Sequence, residues 1–213
     1  FAEPGQTQGE LRTLLTMAHC WRSELQAAYE QSIQAWPLLA PGSRWESSVL
    51  FHGMWAALVT GYEQDFANMA AALCTFQPAG PDAARTLVLW GSLGASLLTS
   101  YGRKGLAKEL LAQAEATRAS TPALEQEYDL RGALRMGQSD FIRAFESDPW
   151  LPLLLSQEAT QAFQDIGDRR DQVTAMNRLG QAQGDIGRWE EGENGRRGEH
   201  AGDLPRRQRN RRA

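Results

Sequence analysis

Only two cysteines and three histidines occur in the 213-residue chain, which leaves little material for a disulfide scaffold or a metal site. Cys20 and Cys74 each stand among helical apolar neighbours, so they read as two buried thiols suited to a reducing compartment, and a cytoplasmic chain is expected. His19, His52 and His200 are too scattered to join them around a metal, and no metal or cofactor is expected. No apolar run approaches the roughly 20 residues that a membrane-spanning helix needs. A phosphate loop is excluded as well, because Gly91 and Gly94 are followed by no Gly-Lys-Ser/Thr ending and preceded by no strand. There is no Gly-x-Ser-x-Gly elbow, and the acid pairs Glu190-Glu191 and Asp168-Asp171 lack apolar surroundings that would split their pKa values. A catalytic role therefore finds no support in the residues.

What is present is helical. Hydrophobic residues make up 42% of the chain, enough for a sizeable core. Two-residue alternation long enough for a strand is missing, whereas three-and-four spacing recurs throughout, so the fold class is all-α. Residues 6 to 35 place Leu11, Leu14, Leu15, Ala18, Trp21, Leu25, Ala28, Tyr29 and Ile33 on one face, predicting one long amphipathic helix. Breaks are expected at Trp36-Pro37, Ala40 to Ser43, Gly61, Gln77 to Pro81, Gly102 to Gly105, Asp148-Pro149 and Gly167. Ser120-Thr121-Pro122 predicts a helix start, with a hydroxyl cap and an early proline. In Val173 to Gly192, the glycines up to Gly187 predict a tight turn between two antiparallel helices, with Leu179, Gly180 and Trp189 packed where they meet.

Charge divides the chain. Residues 194 to 213 carry seven arginines against Glu199 and Asp203, so the net charge of −4 splits into about +5 there and about −9 elsewhere. The glycines between them predict a disordered Arg-rich tail at 194–213, after a folded domain at 1–193. Without interleaved aromatics or a basic face, this tail does not predict a nucleic-acid partner. The chain opens at Phe1 rather than Met, and so reads as a piece of a longer protein.

Glycines recur at comparable points of successive helices: Gly53, Gly94, Gly132 and Gly180, separated by 41, 38 and 48 residues. Such spacing marks stacked helical pairs. Nine residues after three of them comes an aromatic: Tyr62, Phe141 and Trp189. Trp90-x-x-Leu93-Gly94-x-x-Leu97, with Ala107, Leu111 and Ala114 on the following helix, resembles the tetratricopeptide repeat signature, and Met176-x-x-Leu179-Gly180 with Gly187 and Trp189 is a second match. The resemblance covers about residues 46 to 193, with separations longer than the family's 34 residues. The phrase Ala162 to Arg170, followed by Asn177-Arg178-Leu179-Gly180, is similar to wording in the carboxy-terminal arrays of large bacterial signalling kinases and ATPases.

The resemblance implies antiparallel hairpins stacked as a short right-handed solenoid, and a non-enzymatic scaffold that binds a protein or peptide, possibly another domain of the same parent chain. A sensory or autoinhibitory arm acting in cis on a kinase or ATPase is the alternative it implies. Expected groove contributors are Arg85, Trp90, Ser92, Ser96, Asn177, Arg178 and Gln181. Trp36, Trp45 and Trp150, beside prolines or loops, are further candidates for a recognition surface.

Overall fold

Side-chain capping marks the starts of three helices, and left-handed glycines mark the ends of two. The computed structural model describes the backbone of residues 4–202 and the side chains of 5–188. Ser43 accepts a hydrogen bond from the Glu46 N–H at 3.2 Å, and the Glu46 carboxylate accepts from the Gly42 N–H at 2.6 Å, a reciprocal cap that opens the third helix. Asp148 and Asp168 accept the first free N–H groups of the eighth and ninth helices in the same way. Gly61 and Gly167, at φ of 85° and 73°, end the third and eighth helices in the left-handed conformation that side chains disfavour.

Among the described residues these signals yield α1 (Pro4–Trp21), α2 (Leu25–Ala35), α3 (Arg44–Thr60), α4 (Glu63–Cys74), α5 (Pro81–Ser100), α6 (Lys104–Ser120), α7 (Tyr128–Phe145), α8 (Leu151–Ile166) and α9 (Arg169–Gly202). No strand interrupts them there. Each odd-numbered helix through α7 packs on the even one that follows and on the next odd one, and α9 packs on α8 and α7. The main core runs from Cys20 and Ala28 through Leu50, Met54, Met69 and Leu87 to Leu110 and Phe141, and a second cluster joins Met136, Ala159, Phe163 and Ala175.

The expected glycine contacts hold at three of four positions. A methyl group at Gly53 would lie 2.7 Å from Ser32 Oγ and 2.8 Å from Met69 Sδ; at Gly94 it would lie 3.0 Å from Leu110, and at Gly132 2.7 Å from the Phe163 ring. In each case a side chain of the next even helix fills the space that the missing Cβ leaves. Gly180 is different: it is exposed, nothing lies within 4 Å of a Cβ there, and Leu179 is only half-buried. Of the aromatics nine residues on, Tyr62 stacks on Tyr29 with ring centroids 3.9 Å apart, Phe141 is buried, and the Trp189 side chain lies outside the described residues.

Three boundaries depart from the sequence reading. The predicted helix at 6–35 is two helices reversing at Arg22 to Glu24, where Ser23 takes φ of 60° without glycine or proline. The reversal lets α1 bury a small-residue face of Gly9, Thr13, Thr16 and Cys20, and it leaves Leu11, Leu14 and Leu15, expected inside, exposed. Pro122 to Leu124 forms a 3-10 turn rather than starting a helix, and Leu124 fills a satellite core with Ala84, Val88 and Leu130 before α7 begins.

Finally, α9 runs straight through Gly184 and Gly187. A glycine costs a helix about 1 kcal/mol relative to alanine. That is less than losing the backbone hydrogen bonds of a turn with no cap, while Ala175, Ala182 and Ile186 anchor the helix on the buried side. The backbone of 194–202 belongs to α9, and 203–213 of the predicted tail lie outside the described residues.

Candidate binding groove

The residues expected to line one groove fall into two groups. On α5, Arg85, Trp90 and Ser92 are tied up internally. Arg85 pairs with Glu127 at 2.6 Å and also with Asp129. Trp90 stacks on Phe51 at 5.0 Å, meets His52 edge-on at 4.7 Å, and donates its Nε1–H to Ser48 Oγ at 3.0 Å. Ser92 is buried and donates to the Val88 carbonyl at 2.6 Å. Arg85 and Trp90 tie α5 to α7 and α3, and Ser92 is buried on its own helix, so the polar groups of all three are engaged inside the chain, while the Arg85 side chain stays 41% exposed. Packing claims them because a polar atom near a helix crossing needs a partner there.

On α9 the expectation meets an open, polar groove. Asn177, Arg178 and Gln181 line a depression of about 500 Å³ with Asp140 and Arg143 of α7 and Thr99 of α5. A neighbouring depression of about 920 Å³ continues it along Gly184, Asp185 and Arg188. Arg178 Nε donates to both Asp140 oxygens at 2.9 and 2.8 Å, an ion pair that pins α9 to α7. Arg143 donates to Gln181 Oε1 at 2.7 Å and stands 3.9 Å from Asp185. Asn177 and Gln181 are exposed; Arg143 takes the Gln181 carbonyl oxygen, while the Gln181 NH2 group and the Asn177 amide face the groove. The floor is unusual. Thr99 Oγ1 is buried without a hydrogen-bond partner, and so is the hydroxyl of Ser96, one turn earlier on α5 and among the expected contributors. A buried hydroxyl left unpaired costs on the order of 1–3 kcal/mol.

Thr99, Asp140 and Arg143 were not foreseen. One signal finds Asp140 and Arg143: Asp140 and Arg178, like Arg143 and Gln181, are separated by 38 residues, whereas no such spacing marks Thr99. The other tryptophan candidates divide. Trp36 donates to Glu46 and Trp45 carries the Arg44 guanidinium 4.8 Å above its ring, both half-buried, whereas Trp150 is exposed.

No protein-family model, curated protein or solved structure matches the chain.

The titratable groups away from the groove show where charge is resisted. Burial pushes the Cys20 thiol up to about 12, and burial followed by the Glu109 carboxylate pushes Cys74 up to about 11. Neither is an activated nucleophile near neutral pH. Burial lowers His52 to about 4, against the opposing pull of its 2.8 Å contact with the Ser48 carbonyl. The Asp171 carboxyl is raised by burial and then by Asp168. Among the described residues no three His, Cys, Asp or Glu side chains gather as metal ligands, and no helix is long and apolar enough to cross a membrane.

Proposed function

We propose that the chain is an interaction module: a short right-handed solenoid of tetratricopeptide-like hairpins that holds a peptide segment in the groove between α5, α7 and α9. The segment belongs to a partner protein or to another domain of the same parent chain. The observation that carries this reading is the groove itself, with Asn177 and Gln181 offering paired donors and acceptors above the unpartnered Thr99 hydroxyl. An extended peptide presents alternating N–H and C=O groups, which side-chain amides match in both directions. The Arg178–Asp140 pair keeps the wall rigid, so binding orders few protein side chains.

Support for the repeat comes from a group of similar separations, 36 to 42 residues, in the polar contacts. Tyr29 and Asp65 are 36 residues apart, Gln113 and Phe76 37, Arg103 and Glu63 40, Trp90 and Ser48 42. Equivalent points of successive hairpins touching in turn is what a stacked array requires. The test is to select binding peptides by display against the whole chain, then to titrate them calorimetrically into the chain and its Asn177→Ala/Gln181→Ala variant. The reading predicts a tenfold or greater loss of affinity, about 1.4 kcal/mol or more. Unchanged affinity refutes the groove assignment.

A further inference from the structure

The stripe of α9 that faces the groove begins one turn before the groove does. With about 100° of rotation per residue, Thr174, Asn177, Gln181, Gly184 and Arg188 all fall within about 40° of the direction of Arg170. The five line the two depressions. Arg170, at the head of the stripe, is covered instead by the end of α1: its guanidinium carbon lies 3.9 Å from the centroid of the Trp21 ring. Both sides of this stack are anchored. Trp21 follows Cys20, which is buried and directs its thiol at the His52 carbonyl of α3 at 3.7 Å. Arg170 stands in the first turn of α9, where Asp168 accepts its backbone N–H at 3.1 Å. One pair of side chains thus joins the first and last of the odd-numbered helices, and α3, α5 and α7 lie between them in the packing order. The pair sits at the surface, with Arg170 exposed and Trp21 53% exposed.

We infer that the Trp21–Arg170 stack is a latch across one end of the groove, left shut by a short ligand and opened by a long one. The inference rests on the peptide-binding reading of the groove. From Gln181 back to Arg170 the helix rises about 16 Å, the span of about five extended peptide residues. A segment of that length fits between the polar groups of the groove and the stack. A longer one running toward the start of α9 meets the Trp21 ring and binds when the end of α1 moves off Arg170. At the surface a cation–π contact favours the closed arrangement by about two- to fivefold, a bias that several ligand hydrogen bonds overcome. Apparent affinity falls with the fraction of chains that are open, and it does so for long ligands alone. Trp21 and Arg170 are therefore positioning residues that select ligands by length, and neither lines the groove.

The experiment takes a display-selected peptide trimmed to its shortest binding core, and the same core extended at either end by about eight residues, roughly 27 Å of chain. Each is titrated into the whole chain and its Arg170→Gln, Arg170→Lys and Trp21→Leu variants, with circular dichroism confirming that all fold. The core is expected to bind all four alike. At least one extended form is expected to bind Arg170→Gln and Trp21→Leu about two- to fivefold more tightly than wild type, through faster association, with Arg170→Lys closer to wild type. In the free chain the Arg170 side-chain protons are expected to carry an upfield ring-current shift that Trp21→Leu abolishes. Absence of that shift overturns the latch. So does an Arg170→Gln variant that binds the extended peptides more weakly than wild type or no differently, and so does an equal effect on core and extended forms. Failure of the groove reading is seen separately, as core affinity that Asn177→Ala/Gln181→Ala leaves unchanged; a chain for which no peptide is found overturns both.

Discussion

Replacing glycine by alanine at comparable points of α7 and α9 is expected to change stability in opposite directions. In a helix interior alanine is favoured over glycine by about 1 kcal/mol, and this gain applies at every one of these positions. At Gly180 nothing lies within 4 Å of the new methyl group, so the whole gain is realised and Gly180→Ala stabilises the chain by about 1 kcal/mol. At Gly132 the methyl would lie 2.7 Å from Phe163 Cζ and 2.8 Å from Cε2. Phe163 is only 1% exposed and is wedged among Met136, Ala159 and Ala175, so its ring cannot swing away. Overpacking of this kind costs about 1–3 kcal/mol, which cancels or exceeds the propensity gain and leaves Gly132→Ala up to about 2 kcal/mol less stable than wild type. Gly137→Ala meets a harder neighbour still, the Ser92 carbonyl oxygen at 2.8 Å, which is backbone. Urea unfolding followed by circular dichroism measures all three, with the m-value checked for constancy. If Gly132→Ala and Gly180→Ala shift the midpoint in the same direction, the account of glycine as the contact point between hairpins is wrong.

Three further outcomes follow from particular side chains. His52, lowered from 6.5 to about 4, binds its proton more tightly in the unfolded chain; its contribution is therefore intact above pH 6.5 and is lost as pH falls through 4, by about 3 kcal/mol in all. Urea midpoints of wild type and His52→Gln compared across that window should differ in slope, and parallel slopes would count against a buried neutral imidazole. Trp90→Phe keeps the stacking on Phe51 but removes the donor to Ser48, at a cost of about 1 kcal/mol in thermal or urea unfolding; a neutral result would mean that the bond contributes nothing. Both thiols, raised to about 12 and about 11 by burial, should react with a disulfide reagent at pH 8 about a hundredfold or more slower than in urea, and rapid labelling of the folded chain would contradict that.

Much of the helical layout was legible in the sequence because its breaks are chemical: Gly61, Gly102 and Gly167 follow the ends of α3, α5 and α8, Pro78 lies in the link after α4, and Pro81 opens α5. The contact glycines were legible for a related reason, since a missing side chain is visible in the sequence and close approach is what it permits. The reversal at Ser23 was hidden because no glycine or proline marks it. With Leu11, Leu14 and Leu15 on one side of α1 and Gly9, Thr13 and Thr16 on the other, hydrophobicity pointed to the wrong face; the small residues allow the closer helix approach and win the interior. In α9 the same glycine signal misled, because a turn also needs a cap and something to pack the returning helix against. As for the groove, Asn177, Arg178 and Gln181 come together on α9, while Arg85 and Trp90 are engaged by partners 42 to 44 residues away that a helical wheel of one segment does not show, and Ser92 is buried on its own helix.

The central claim is that a peptide lies against α9 and α7 above Thr99. Nitrogen–proton correlation spectra of the labelled chain, recorded during titration with a display-selected peptide, test it most directly. The account predicts that the side-chain amides of Asn177 and Gln181 and the backbone amide of Thr99 shift with saturation, while the exposed Gln157 and Gln161 amides of α8 stay in place. Shifts that concentrate on α8 and leave Asn177 and Gln181 unmoved would contradict it.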